Sequence, residues 1–298
     1  MIHGIINVYK EKGYTSHDVV AKLRGILQQK KIGHTGTLDP DAEGVLPVCL
    51  GKATKLCDML TDTDKTYQAV LLLGRTTDTQ DVSGTVLEEQ PVDCTIKDVY
   101  EAIQSFVGDY QQVPPMYSAL KVDGKKLYEL AREGREVERE ARPVKIHQIL
   151  IHEIKLPRVS MTVTCSKGTY IRTLCHDIGQ KLGCGGCMEE LLRTQVGRFH
   201  IEDSLRLQEI EVLADLSQIQ EHIIPIDQMF QEYPAVTIAA EAKKLLENGN
   251  SFYRRQVQKQ GKLSADTPVR VYDQEGSFYA IYQFRERENR FLPVKMFR

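Results

Sequence analysis

The chain has 298 residues, with 39 Lys plus Arg against 41 Asp plus Glu, a formal net charge of −2 and 41% apolar residues, which is ordinary globular composition and excludes a fibrous or disordered protein. Its longest apolar runs, such as Ala69 to Leu73, fall far short of the roughly 18–20 residues a bilayer-crossing helix needs, so no membrane span is expected. At about 150 residues per domain the length suggests roughly two domains.

In chain order, Gly4 to Lys10 reads as a short strand. The opening MIHGIINVYK carries no basic leader, and its apolar stretch is broken by Gly4 and Asn7. It does not read as a secretory signal, which makes the cytoplasm the expected location. Thr15 or Ser16 caps a helix whose Val19, Val20, Leu23, Ile26 and Leu27 fall on one face. From Lys31 to Gly44, KIGHTGTLDPDAEG is too rich in glycine, proline and polar caps for regular structure and reads as a loop, followed by an apolar run from Val45 to Leu50. Lys65 to Gly74 and Arg158 to Ser166 read as strands, the second with period-2 alternation, and Thr95 to Val107 as a capped helix. Between Gly124 and Arg142 the chain is highly charged and interrupted by Gly134, too polar on most faces for a core, and is expected to protrude. Tyr170 to Leu182 is helical, 201–230 is acidic and turn-rich, and a boundary near 232 precedes a compact appendage. That appendage begins at Ala239 to Glu247 and contains three short strands: Val269 to Tyr272, Ser277 to Gln283 and Arg290 to Lys295. Pattern alone gives a mixed α and β protein.

Charge alternates along the chain. Residues 1–60, 61–120, 121–200, 201–240 and 241–298 carry +2, −7, +5, −7 and +5. A polyanion binder needs a basic face rather than a basic total, so nucleic acid remains an admissible partner, while a mixed solvated face is the better reading of any single block taken alone. Seven cysteines, an odd number over a long chain, do not form a secreted disulfide framework and are expected to be reduced thiols.

The loop GHTGTLDPDAEG is where chemistry is expected, because Pro40 restricts the backbone of Asp39 and so fixes the direction of its carboxylate. Asp39, Asp41, Glu43 and Gly44 imitate the first half of a calcium-binding loop, but the position that needs a bidentate Glu is Leu50. The run Gly51-Lys52-Ala53-Thr54 hints at a phosphate loop, but the required earlier glycine is Leu46. An Asp-Pro turn in which Asp39 merely bonds nearby amides is the plain structural alternative.

The segment GHTGTLDPDAEGVLPVCLGKATK resembles the catalytic loop and following strand of the bacterial tRNA pseudouridine-55 synthases, the TruB family. KTYQAVLLLGRTTDTQD, VPPMYSALKVDGKKLYELAREG, SKGTYIRTLCHDIGQKLGCGG and LLRTQVGRF resemble its later signature segments in order. The resemblance covers residues 4 to about 230, and more weakly the C-terminal appendage. It implies an α+β fold: a pseudouridine-synthase-like mixed, largely antiparallel sheet flanked by helices, with a thumb-like insertion at about 124–142 and a small β-rich, PUA-like C-terminal domain. The catalytic domain would span 1–231 and the RNA-binding domain 232–298.

The resemblance also implies the site. Asp39 takes the position of the aspartate that detaches uracil from its ribose and permits reattachment through carbon; whether it adds to sugar or base, or first abstracts a proton, stays open. Arg172 matches the arginine that pairs with this carboxylate, and Tyr67 the aromatic that lies against the target base. Tyr170 and Leu191 match positions lining the uracil pocket, and His34 the histidine near the displaced T-loop bases. Outside the family, Arg172 would read as an ordinary surface ion pair, and Tyr67 and Leu191 as core residues.

Such chemistry requires the base to leave its stack for an aromatic or apolar pocket, and needs neither metal nor cofactor. The implied partner is the T-arm of tRNA, with the basic blocks facing RNA, no membrane and no protein partner, and a monomeric state. The charged insertion resembles a flexible loop that closes over the T-arm and is expected to order on binding. Cys184 and Cys187 form a CxxC pair near Cys175 and His176, but with no second CxxC the reading is paired thiols rather than zinc. Two rivals remain: an RNA chaperone that binds without isomerising, and a guide-RNA-dependent relative of the archaeal and eukaryotic branch.

Overall fold

A computed structural model describes residues 1–298 apart from 123, 262, 264 and 265. The first strand, β1 (Gly4–Lys10), leads into α1 (Ser16–Ile26), whose N-cap Thr15 accepts from the Asp18 amide while the Asp18 carboxylate accepts from the Thr15 amide. That reciprocal capping box satisfies backbone donors that an exposed helix start leaves open. The supposed loop from Lys31 is not wholly irregular. A short strand, β2 (Ile32–His34), pairs with β3 (Glu43–Leu50), because three residues suffice to extend a strand edge before Gly36 turns the chain away.

Short α2 (Cys57–Thr61) precedes β4 (Lys65–Leu73), and a hairpin of β5 (Arg75–Thr77) and β6 (Val86–Glu89) leads to α3 (Ile96–Gln104), capped by Thr95. Next come β7 (Gly108–Gln112), the small hairpin β8 (Lys121–Val122) and β9 (Lys125–Lys126), and α4 (Leu127–Arg132). The charged insertion is therefore partly ordered: Leu127 and Leu130 of α4 are buried, whereas 133–141 carries no regular element. Strands β10 (Arg142–Lys155) and β11 (Arg158–Cys165), helix α5 (Ile171–Leu182), and strands β12 (Gly186–Val196) and β13 (Phe199–His200) complete the main sheet. Neither β10 nor β12 was expected from sequence. Helix α6 (Leu207–Asp215) corrects the turn-rich reading of 201–230.

The strand order is β1-β3-β12-β4-β11-β10-β7, and along this path only β3 and β12 run parallel. This is the mixed, largely antiparallel sheet expected. Helices α3 and α5 bury Val99, Ile103, Leu174 and Ile178 with Leu71, Met161 and Val163 of the sheet, while α1 and α6 bury Leu23 and Ile210 with Ile6 and Val48. Burial of such side chains stabilises by about 1.5–3 kcal/mol each before entropy is counted.

Ala235–Ile238, Phe252–Tyr253, Val257–Gln260, Pro268–Tyr272, Phe278–Arg285 and Arg290–Met296 form a second, six-stranded sheet around Phe252, Tyr282 and Phe291. The three sequence-read strands of the appendage are there, and the sheet has three more. No helix among the described residues is long and apolar enough to cross a membrane.

Candidate active site

Asp39 sits in the loop between β2 and β3, and that loop is tied down through its backbone. The Leu38 amide donates to Ser16 Oγ at 2.9 Å, and the Gly13 amide donates to the Pro40 carbonyl at 2.9 Å. The Lys10 ammonium, wholly buried, donates to the carbonyls of Tyr14 at 2.6 Å, Glu11 at 3.1 Å and Pro40 at 3.2 Å. Leu38 and Ala42 anchor the loop in the same core cluster as Tyr67 and Ala69 of β4. A loop with its backbone polar groups paired and two apolar residues buried holds its carboxylate in one place.

Arg172, in the first turn of α5, meets that carboxylate with Nε 3.1 Å from Asp39 Oδ2. Its other donors are also spoken for: Nη1 donates to the Thr79 carbonyl at 3.1 Å and lies 3.5 Å from Asp81 Oδ2, and Nη2 donates to the Tyr117 carbonyl at 2.9 Å. At 5% exposure this is no surface ion pair. Asp81 is fixed in turn by Thr79 Oγ1, Ser83 Oγ and the Ser83 amide, all donating to its Oδ1. The Asp39 side chain keeps 43% of its surface open to solvent, so it is reachable from one side although protein crowds the others. Burial pushes its pKa above the usual carboxylate value; Arg172 and Lys10 pull it down, while Asp81 and Asp41 push it further up.

Tyr67 is buried on β4, and burial raises its pKa; Arg193 opposes that shift, and Asp39 is among the charges it feels. Leu191 lies on β12 opposite Ala69 and packs half-buried against the same cluster. Tyr170 is the N-cap residue of α5, where its amide donates to Gln112 Oε1 at 2.8 Å and its carbonyl accepts from Gln112 Nε2 at 3.0 Å. Burial raises its pKa too, with Arg172 and Asp39 among its charged neighbours. The structure thus gathers Asp39, Arg172, Tyr67, Tyr170 and Leu191 around one side of the central sheet.

His34 stands apart. Its Nδ1 faces the Gly36 carbonyl at 3.1 Å, burial lowers its pKa, and the charges it feels are Arg193 and His17 rather than Asp39. Among the described residues no group of three or more His, Cys, Asp or Glu stands close enough to hold a metal ion. Cys184 and Cys187 are buried free thiols.

Sequence reasoning missed Lys10, Ser16, Asp81 and Arg193, each of which touches the loop or its arginine. For Asp81 a signal existed in the TTDTQD run of closely spaced acids and hydroxyls, which form a turn of their own. Lys10 and Arg193 carried none, since a basic residue within a strand reads as solvent-facing.

With this geometry in place, the comparisons with known proteins are specific. Residues 24–171 match the model of the TruB family pseudouridylate synthase N-terminal domain, and residues 172–231 that of the tRNA pseudouridylate synthase B C-terminal domain. The tRNA pseudouridine synthase B of Lachnoclostridium phytofermentans is 52% identical over 99% of this chain and all of its own length. That of Clostridium kluyveri is 47% identical, covering 99% of each chain. Among solved structures, a chain of a Cbf5-Nop10-Gar1 complex superposes with a TM-score of 0.70 at 28% identity, over 99% of this chain and 85% of that one. Two family models that together span most of the chain, and full-length relatives at about half identity, place this isomerase in the TruB family of tRNA pseudouridine synthases.

Proposed function

We propose that this enzyme isomerises the T-loop uridine at position 55 of tRNA to pseudouridine, with Asp39 as the reacting carboxylate. The target base is flipped out of the T-loop stack and lies against Tyr67, with Tyr170 and Leu191 walling the pocket. Asp39 detaches uracil from its ribose, and the base rejoins through carbon. One C1′–N1 bond is exchanged for a C1′–C5 bond, the C5 hydrogen leaves and N1 gains a proton, so no oxidant or reductant is consumed. The observation that carries the reading is the 3.1 Å contact of Arg172 Nε with Asp39 Oδ2. A buried guanidinium favours the ionised carboxylate against the burial that would neutralise it. His34 contacts the displaced T-loop bases outside the pocket.

Residues 1–231 form the catalytic domain and 232–298 a small RNA-binding domain. The insertion 124–142 closes over the T-arm, and the enzyme works in the cytoplasm as a monomer, without cofactor or protein partner. The test is incubation of wild type and Asp39→Asn with unmodified tRNA transcript, without added metal or nucleotide, followed by base-specific mapping of pseudouridine. Conversion of the T-loop uridine by wild type and none by the variant is expected. Binding without conversion by wild type would point to an RNA chaperone instead.

A further inference from the structure

We propose that Arg193 is a positioning residue of this reaction centre: one buried guanidinium that ties both ends of the Asp39 loop to the strand position directly opposite Tyr67. The inference rests on Asp39 being the reacting carboxylate. Arg193 of β12 pairs with Tyr67 of β4 across an antiparallel ladder, where facing residues present their side chains on the same side of the sheet. Its Nε donates to the Val45 carbonyl at 2.7 Å and its Nη1 to the Thr37 carbonyl at 3.3 Å. Thr37 precedes Asp39 by two residues, and Val45 follows the loop as β3 begins, so a single rigid fork holds the entry and the exit of the segment that carries the acid.

The backbone reinforces the side chain. Arg193 also pairs in parallel with Gly44, which adopts φ +108°, and a Cβ there would stand 2.1 Å from the Arg193 carbonyl oxygen. Strands β3 and β12 therefore cross at a distance that only glycine permits, and the fork cannot drift relative to the loop.

Arg193 is 2% exposed, and no ion pair within 4.0 Å joins it to a carboxylate among the described residues, unlike Arg172 with Asp39 and Asp81. Burying a cation against neutral acceptors is costly, and an apolar residue of similar volume commonly serves stability as well or better. The charge is therefore explained by where it acts. It stands beside the Tyr67 hydroxyl and the Asp39 carboxylate, both of which favour its charged form. Arg172 holds the carboxylate from α5, while Arg193, facing Tyr67 across the ladder, holds the loop backbone from β12.

The test compares full-length wild type, Arg193→Lys and Arg193→Met on unmodified tRNA transcript, by single-turnover rate, KM and urea unfolding. A lysine is a point charge that cannot span the two carbonyls. Both variants are expected to lose conversion rate on the order of 100-fold, the cost of a small misplacement of reacting groups, with KM for tRNA within about threefold and Arg193→Met no less stable than Arg193→Lys. The pH profile separates positioning from mere folding. Asp39 is faced most strongly by Arg172, Asp81, Lys10 and Asp41 and also by Arg193, and Tyr67 by Arg193, Cys165 and Asp39. Losing the Arg193 charge in Arg193→Met moves the acid limb of the rate to higher pH, whereas Arg193→Lys leaves it in place. Wild-type-like rates in a folded variant, or a loss matching the unfolded fraction alone, would overturn the inference. Should wild type fail to convert uridine, or Asp39→Asn convert it equally well, the underlying reading fails instead.

Discussion

At the scale of single residues, the site is organised by cations that the fold buries. Arg172 reaches four acceptors on three separate segments, Asp39, the Thr79–Asp81 turn at two points, and Tyr117, which only a planar fork with several donors can do. Arg172→Lys is therefore expected to lower the conversion rate by on the order of 100- to 1,000-fold, the scale of losing a preorganised electrostatic contact, with tRNA binding retained in a filter assay. Lys10 and Lys65 are buried against carbonyl oxygens alone, Lys65 Nζ donating to Thr61 and Thr63 at 2.6 Å each. Burial brings the pKa of each down from 10.5 to about 8. The native state then holds fewer protons than the unfolded chain between about pH 8 and 10.5, so the contribution of Lys65 to stability grows as pH rises through that window and is lost as pH falls through about 8. Urea unfolding of wild type and Lys65→Met at pH 7 and pH 10 should show the difference shifting toward wild type at the higher pH. A shift in the opposite direction would mean that the native state favours the Lys65 ammonium, its carbonyl acceptors outweighing the cost of burial.

At the scale of elements, α1 shows how a helix start can serve structure at one residue and the site at the next. Thr15 closes the capping box with Asp18, whereas Ser16 turns inward to accept from the Leu38 amide beside Asp39. Thr15→Ala should cost about 1 kcal/mol of stability, the usual worth of an N-cap, and leave the conversion rate within twofold. Ser16→Ala leaves a buried amide unpaired at about 1–3 kcal/mol and should in addition slow conversion several-fold, because the loop that carries Asp39 loses an anchor. Urea unfolding and single-turnover kinetics on the two variants check this contrast; equal rates would show that the loop does not depend on α1. The capped helices α1 and α3 were legible in sequence because Thr15 and Thr95 announce them, and β4 and β11 because their apolar runs are uninterrupted or alternate cleanly. Strands β10 and β12 were hidden. Bulges at Ile146/Gln148 and Ile151/Glu153 in one, and at Met188/Glu190 and Arg193/Gln195 in the other, shift the register and break the period of two on which the reading depends. Helix α6 was hidden because its N-cap is Arg206, which gives no capping signal. The same strand, β12, concealed Arg193: its partners Thr37, Val45 and Tyr67 lie far away in sequence, and only the closed sheet brings them together.

At the scale of the whole molecule, the sequence suggests two units divided near 232, yet one hydrophobic cluster runs through both. Ile5, Val45, Val196, Ile226 and Phe230 from the first part pack with Ile281 and Phe297 from the second, and Phe230 stands 5.9 Å from Phe297 and 6.4 Å from Phe278 between ring centroids. A composition shift marks where the chain changes character, but it carries no information about what the two sides bury against each other. The Lys55 ammonium adds a polar tie, donating to the Met296 carbonyl at 2.9 Å. Because this cluster is shared, unfolding the C-terminal sheet would strip cover from Phe230 and Ile226, so both parts should unfold in one cooperative transition by calorimetry. Phe297, 1% exposed, is the probe. Phe297→Ala removes a fully buried ring and is expected to lower stability by about 3–5 kcal/mol, moving the whole transition rather than splitting off a low-temperature shoulder. Two resolved transitions in the wild-type chain, with only the lower one sensitive to Phe297→Ala, would show instead that the C-terminal sheet is an independent body and that the shared aromatic cluster contributes little.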